Sequence, residues 1–377
     1  MKDKLLIASD SFLPRWDGIA RVLSEIIPKL SRKYDITVMA PDYGDYENDQ
    51  IRLVRIPLNN LWIGDFNVPK FALRKVKEEV KKADVVFTQT IGPVGGLAIL
   101  FAWRYKQPLA SYIHSLEWEL VPKAVGTPLF KKLLYPLMKV VSRKLYKKSD
   151  LLLVPSSGIA DQLSWQKINS KKKVVHLGVN LNKFRPGKAL KLREKLGIKP
   201  NDIVIGQHGR ISREKDLVTL LRAFIRLQAR YDNIKLMIVG DGVKSLKKKL
   251  AARHGVILPG AQDNVIPYLQ AMDIYVLSSL TETTSLTTLE AMACELPVVA
   301  TKVGFVKDYI REGLNGLFFE KQDSTELAIR LSGLIEHEEY RKEIGKNARR
   351  AVSEHFKWDV TAEKIKKALD ELMNPKK

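Results

Sequence analysis

The chain has 377 residues, 45% of them hydrophobic and 28% charged, a balance that suits a soluble globular protein and excludes a disordered or fibrous one. At roughly 100 to 200 residues per domain, that length predicts two domains. Lysine and arginine total 64 against 42 acids, and the formal net charge of +22 favours polyanionic partners: nucleic acid, anionic lipid or phosphorylated substrates.

Cys294 is the single cysteine, which excludes an intrachain disulfide and a cysteine-based zinc cluster. The start, MKDKLLIASDSF, lacks the apolar block of a signal peptide. No stretch reaches the roughly 20 apolar residues that cross a bilayer; Gly92 to Trp103 falls short and is broken by glycines and a proline. The expectation is a protein of a reducing interior without a membrane span.

The opening KLLIASDSF reads as a buried parallel strand, followed by a helix over Gly18 to Lys33 with Ile19, Val22, Leu23, Ile26, Ile27 and Leu30 on one face. Further apolar strands are predicted at Ile36 to Ala40, Ile51 to Pro57, Asp84 to Thr88, Leu109 to His114, Leu151 to Pro155 and Val174 to Leu177, with helices between most of them. Such alternation implies a mostly parallel sheet with helices on both faces. The segment Phe184 to Pro200, FRPGKALKLREKLGIKP, carries two prolines and two glycines in a lysine-rich run and marks a boundary. Residues 1–185 then form a first domain, 186–200 a linker, 201–355 a second domain and 356–377 a closing helix.

Past the boundary, the strands DIVIGQHG, IKLMIVGDG, VILPG, DIYVLSS and PVVAT alternate with helices, one over about Lys215 to Arg230 and one over Thr287 to Cys294. Three helices starting near Ser324, Glu338 and Trp358 end the chain. The fold class is α/β, with two doubly wound Rossmann-like domains. Ligands of open parallel sheets bind beyond the carboxyl ends of the strands, so two facing sheets predict a central cleft.

Between the last two of those strands lies LTETTSLTTLEAMACELPVV, with Glu282 in a loop and Glu290 in the following helix. Thr287 and Glu290 have capping-box spacing, which would satisfy amides at the helix start. The functional reading gives one carboxylate the hydroxyls of a ribose and the other a sugar, with the helix start favouring phosphate. Arg210 and Lys215 follow a strand directly, where a planar guanidinium and a movable ammonium suit a diphosphate. His114 ends an apolar strand; His176 and His208 read as structural. The acidic run Asp42, Asp45, Glu47 and Asp49 reads as a solvated turn, and no spacing of histidines and acids points to a metal site.

The paired-glutamate segment resembles the signature of retaining GT-B glycosyltransferases of family 4. FLPRWDGIARV, SYIHSLEWE, VPSSGIADQL, VVHLGVNLNKFRP, GQHGRISREKD, IVGDG, LPG and the closing FKWD extend the resemblance over nearly the whole chain. It implies a GT-B architecture that binds a nucleotide sugar, UDP-hexose in preference to GDP-hexose, with no metal or other cofactor. Carried over by resemblance, Glu290 holds the ribose, Glu282 and His114 the donor sugar, and Arg210 and Lys215 the diphosphate, assisted by the backbone around Gly18. Gly209, Ser285 and Leu286 complete the donor-binding set. The chain departs from the commonest pattern in having Asp17 before Gly18 in place of paired glycines, and Thr283, Thr284 and Ser285 after Glu282 in place of a glycine-containing turn. TET at Thr281 to Thr283 resembles a variant associated with transferases acting on glycerolipids.

The segment KKLLYPLMKVVSRKLYKK, Lys131 to Lys148, has no acid, and Leu133, Leu134, Leu137, Met138, Val141 and Leu145 recur at helical spacing, with a bend or break expected at Pro136. Either this helix turns its apolar face to the core, or Lys131, Lys132, Lys139, Arg143, Lys144 and Lys147 meet anionic lipid. A second basic stretch, Phe66 to Lys82, and the aromatics Trp62, Trp118 and Tyr135 are expected near the same face. The reading is an acceptor-binding first domain and a donor-binding second domain in a peripheral enzyme on the cytoplasmic membrane face, acting on a lipid-linked acceptor. Rival readings are the same chemistry on a soluble sugar or polysaccharide, glycoside hydrolysis by the two glutamates, and a basic nucleic-acid-binding protein, although no helix-turn-helix, zinc-finger or RNA-binding signature is present.

Overall fold

The computed structural model describes residues 2–63, 66–124 and 128–374, and of residues 63, 66, 123, 124 and 128–131 the backbone alone. The chain divides into two compact units, Met1–Leu177 with Trp358–Lys377, and Gly178–Lys357. The first boundary therefore falls at Gly178 rather than within 186–200, and the closing helix belongs to the first unit.

Unit 1 opens with β1 (Lys4–Ala8), whose Leu5 to Ala8 are buried as a central parallel strand requires. Asp17 caps α1 (Gly18–Leu30), accepting from the Ile19 and Ala20 amides, and the helix buries Val22, Leu23, Ile26, Ile27 and Leu30. At roughly 1.5–3 kcal/mol for each such side chain, that stripe rather than helix propensity fixes α1. Then come β2 (Asp35–Pro41), β3 (Ile51–Ile56), a hairpin of β4 (Leu58–Ile63) and β5 (Phe66–Pro69), α2 (Leu73–Lys82), β6 (Val85–Thr88) and α3 (Pro93–Tyr105). The second half of the unit holds β7 (Leu109–Tyr112), α4 (Glu117–Ala124), α5 (Pro128–Tyr146), β8 (Leu151–Val154), α6 (Ser157–Trp165) and β9 (Lys171–Val174). Among the described residues its parallel sheet has the order β3-β2-β1-β6-β7-β8-β9.

Unit 2 contains α7 (Leu190–Lys195), inside the stretch expected to be a linker, then β10 (Ile203–His208), a 3₁₀ turn at Arg213–Lys215 and α8 (Leu217–Gln228). The expected helix from Lys215 is thus broken at Asp216, whose φ is +46°. β11 (Ile234–Val239), α9 (Lys244–Ala251), β12 (Val256–Gly260), α10 (Ile266–Ala271), β13 (Ile274–Leu277), α11 (Leu286–Ala293), β14 (Val298–Thr301), α12 (Val306–Tyr309), β15 (Leu317–Phe319), α13 (Ser324–Glu336) and α14 (Glu338–His355) follow. The order β12-β11-β10-β13-β14-β15 is again parallel. The last helix, α15 (Trp358–Met373), returns to unit 1, where Asp370 accepts from the Tyr34 hydroxyl at 2.6 Å.

Three local readings change. β9 lies three residues before its expected place, because an edge strand tolerates the KKK that precedes the apolar run. The β4–β5 hairpin was hidden by its polar asparagines and short strands. Pro136 does not divide the helix and lies inside the single α5.

α14 buries Ile344, Gly345, Ala348 and Val352. A Cβ on Gly345 would stand 2.1 Å from the Glu295 carbonyl oxygen, whereas one on Gly333 of α13 meets nothing within 4 Å. Alanine gains about 1 kcal/mol of helix propensity over glycine at either site. Gly333→Ala is therefore expected to raise the urea midpoint and Gly345→Ala to lower it, the clash outweighing the propensity gain; equal shifts would contradict the packing.

Candidate active site

In unit 2 the strands spread one way from β10 to β12 and the other way from β13 to β15. Connections leaving β10 and β13 therefore depart toward opposite faces, and a crevice opens beyond the carboxyl ends of those neighbouring strands. The sequence motifs occupy its two walls.

On the first wall, β10 ends at His208 and the chain runs on through Gly209 and Arg210. The Gly209 amide donates to the Val239 carbonyl at 2.9 Å, and the Ile211 amide donates to Asp241 at 2.8 Å. A Cβ on Gly240 would lie 1.9 Å from the Gly209 carbonyl oxygen, so only glycine lets the ends of β10 and β11 approach this closely. On the second wall, the Ser278 hydroxyl donates to the Lys215 carbonyl and the Leu280 amide to the Glu214 carbonyl, each at 2.8 Å. These bonds clip the Arg213–Lys215 turn to the end of β13.

Lys215 Nζ consequently stands 2.6 Å from Glu282 Oε1, with each side chain 13% exposed. The same oxygen accepts from the Ser279 hydroxyl at 2.7 Å. The expected phosphate-holding lysine and the expected sugar-facing carboxylate are therefore one ion pair. Arg210 differs: its side chain is 54% exposed, with NH2 3.1 Å from Glu214 Oε1. The Glu282 loop is fixed from behind by residues that sequence reasoning missed. A Cβ on Gly304 would meet the Glu282 carbonyl oxygen at 2.0 Å, the Phe305 amide donates to Thr283 at 2.8 Å, and the Tyr309 hydroxyl donates to Thr284 at 3.2 Å. A glycine just past a buried strand was the available signal for that loop.

Ser285, at φ +56°, precedes α11 and makes no side-chain capping bond. Its hydroxyl lies 2.8 Å from the Thr288 hydroxyl. Leu286 opens the helix, and Gly209 lies close by, where an added Cβ would meet the Thr287 methyl at 3.6 Å. The capping-box reading of Thr287 and Glu290 is overturned: Glu290 is buried inside α11, and its Oε2 lies 2.8 Å from His208 Nε2. His208, expected to be structural, is thereby joined to a candidate site residue.

In unit 1 the sheet reverses between β1 and β6. Asp10, after β1, accepts from the Val94 amide at 2.8 Å and the Gly95 amide at 3.1 Å, which fastens the start of α3 at that edge. Burial raises its pKa against these bonds. At Gly18 no atom lies within 4 Å of an added Cβ, and the capping carboxylate of Asp17 occupies the next two amides. His114 follows β7, with Nε2 2.9 Å from the Gln89 side-chain oxygen. Burial pushes this imidazole down to about 3, so at neutral pH it is an uncharged hydrogen-bonding group. Glu117, three residues on, is pushed up to about 7 by burial, against a 2.8 Å bond from the Tyr146 hydroxyl.

The basic helix α5 is not a simple core helix. Ser142 and Tyr146 face inward, and Met138 and Leu145 pack against the core, while Leu133, Leu137, Val140 and Tyr135 are exposed. Lys132, Lys144 and Lys147 are exposed, Lys139 and Arg143 are half-buried, and the side chain of Lys131 lies outside the described residues. Trp62 is exposed as expected; Trp118 is a core residue and does not share that face. No helix among the described residues is long and apolar enough to cross a membrane. Asp42 and Asp45 act on Arg55, which donates to the Leu13, Pro41 and Gly44 carbonyls and so ties together the turns after β1 and β2.

Two doubly wound parallel units, the first completed by the chain's last helix, define the GT-B class of fold. A family model described as Glycosyltransferase Family 4 matches residues 16–183, and one described as Glycosyl transferases group 1 matches residues 189–351. The chain belongs to the family 4 glycosyltransferases and is a sugar-transferring enzyme. It is 26% identical to the alpha-monoglucosyldiacylglycerol synthase of Acholeplasma laidlawii over 363 residues, 91% of this chain and 90% of that protein. With the synthase of the same name from Streptococcus pneumoniae it shares 28% over 337 residues, 84% and 75% of the two chains. The structure of Anabaena HepE with UDP and glucose superimposes with a TM-score of 0.78 at 20% identity, covering 98% of this chain and 99% of that one. Sucrose-phosphate synthase from Thermosynechococcus elongatus gives 0.82 at 19% with complete coverage of both chains. At such identities the structural likeness speaks for the fold alone.

The perturbed carboxyl of Glu117 sets a pH dependence. A carboxyl whose folded pKa lies above its free value of 4.5 favours folding below about 4.5, and that contribution is lost as pH rises through about 7. Glu117→Gln is therefore expected to raise Tm relative to the parent at pH 8 and to leave it little changed at pH 4.5. A Tm difference that is the same at both pH values would show that the carboxyl is not held protonated.

Proposed function

We propose that the chain moves a hexose from a nucleotide diphosphate sugar, UDP-hexose in preference to GDP-hexose, to a hydroxyl of a membrane glycerolipid or glycolipid, with retention and without a metal ion. The observation that carries this reading is the Lys215–Glu282 pair at the switch point, beside the half-exposed Arg210. A diphosphate brings more negative charge than one carboxylate and competes for the ammonium. Glu282 Oε1, released from Lys215, then accepts hydrogen bonds from sugar hydroxyls. As the bond from the anomeric carbon to phosphate oxygen breaks, charge grows on the leaving diphosphate, and the fixed cations favour that state over the ground state.

Retention follows from attack on the face the phosphate leaves, the departing phosphate taking the acceptor hydroxyl's proton. Glu282 is then an orienting and electrostatic group, Glu290 holds the ribose, and Gly209, Ser285 and Leu286 line the phosphate side of the donor. His114, uncharged at neutral pH, serves the sugar as a hydrogen-bonding group rather than as a cation.

The lipid acceptor is supported by the two relatives named for diacylglycerol glucosylation and by α5. Exposed Leu133 and Leu137 beside exposed lysines suit shallow burial in an anionic surface, where each basic residue contributes about 1 kcal/mol. The proposal includes peripheral attachment at the cytoplasmic membrane face, which the relatives' names and the exposed apolar row of α5 support.

Purified protein incubated with labelled UDP- and GDP-hexoses and anionic vesicles containing diacylglycerol is expected to give a labelled glycerolipid from the UDP donor, undiminished by EDTA. A product found only with soluble sugars would move the acceptor to another class, and loss of activity restored by magnesium or manganese would overturn metal independence. Glu282→Gln is expected to lower kcat on the order of 100-fold while donor affinity changes far less. Unchanged turnover would remove the role assigned to Glu282.

A further inference from the structure

The pairing of His208 with Glu290 joins the last residue of β10 to the interior of α11 across 82 positions of sequence. Their side chains are 4% and 3% exposed, so bulk water is no alternative partner for either. Glu290 as a carboxylate accepts hydrogen bonds and cannot donate them, so Nε2 is the donor in this contact. The ring is held in turn from a third element: Tyr275 of β13 meets it edge-on at 5.6 Å, and the Tyr275 hydroxyl lies 3.4 Å from the His208 carbonyl oxygen. The carboxylate is thus oriented by a side chain that is itself fixed, at the start of the segment that carries Gly209 and Arg210.

We propose that His208 is a positioning residue for recognition of the donor's ribose. By engaging Oε2 it turns Glu290 Oε1 toward the ribose hydroxyls, and so makes the enzyme discriminate ribonucleotides from deoxyribonucleotides. The proposal rests on the assignment of Glu290 to the ribose in the preceding subsection. Its physical basis is that a buried acceptor oriented in advance loses affinity when the hydroxyl it serves is missing, whereas a carboxylate free to turn does not discriminate sharply. Phenylalanine at 208 would fill the ring's volume and remove its donor, leaving Glu290 to seek other partners. Glutamine would keep an N–H donor.

The test measures the affinities of UDP, 2′-deoxy-UDP and 3′-deoxy-UDP for the full chain by calorimetry, with Tm recorded for each variant. The parent is expected to prefer UDP over the weaker-binding deoxy form by on the order of 10- to 100-fold. His208→Phe should cut that ratio to within a few-fold of unity by weakening UDP and not the deoxy forms; His208→Gln should keep most of it. Folded His208→Phe, or His208→Gln should phenylalanine not fold, showing the parent's ratio with only a lower Tm for the first or a collapsed ratio for the second, would overturn the proposal. The underlying assignment fails separately: Glu290→Gln that leaves the ratio intact removes Glu290 from the ribose and the proposal with it. A ratio abolished by Glu290→Gln but untouched by His208→Phe removes only the role of His208.

Discussion

An ammonium held 2.6 Å from a carboxylate, both largely withdrawn from water, organises the edge of unit 2. Such a pair adds little net stability, because desolvating two charges consumes most of their attraction. Its geometry is imposed by neutral interactions instead: the Ser278 and Leu280 bonds to the Arg213–Lys215 turn, and the backbone contact at Gly304. The scaffold is tightly packed where the backbone crowds at glycine, and it holds the ion pair beyond the carboxyl ends of β10 and β13.

Unit 1 uses the same parallel architecture with opposite electrostatics. Its edge carries groups that burial has driven toward neutrality: a histidine down to about 3, a glutamate up to about 7 and Asp10 raised. Desolvation by burial is the largest influence on each of them. In unit 1 the His114 imidazole is uncharged at neutral pH, whereas unit 2 sets the charges of Lys215 and Glu282 side by side.

α5 shows why amphipathicity alone could not assign a face. Its lysines and leucines alternate so closely that either side could be read as the core side. Packing against α3 and α4 selected Ser142 and Tyr146, and left Leu133, Leu137 and Val140 outside. An exposed apolar row flanked by lysines is expensive in water and natural at a lipid surface.

The sequence by itself determined the class of fold and the positions of the motif residues. Short apolar runs separated by helical periods demand parallel strands with crossover helices, and a charged residue directly after such a run must lie at the strand's carboxyl end. Arg210, Lys215 and Glu282 were expected beyond strand ends for that reason and lie there, while the roles expected of them and of the glutamate of α11 came from the family resemblance. The partners of those residues were decided only by tertiary structure. Lys215 meets Glu282 across 67 positions and Glu290 meets His208 across 82, because β10 lies beside β13, and strand order is not encoded in local periodicity. The capping-box spacing in α11 was equally good locally and lost to that distant histidine. The raised pKa of Glu117 has no signal in the sequence, since a pKa is set by what surrounds a group in space rather than by its neighbours along the chain.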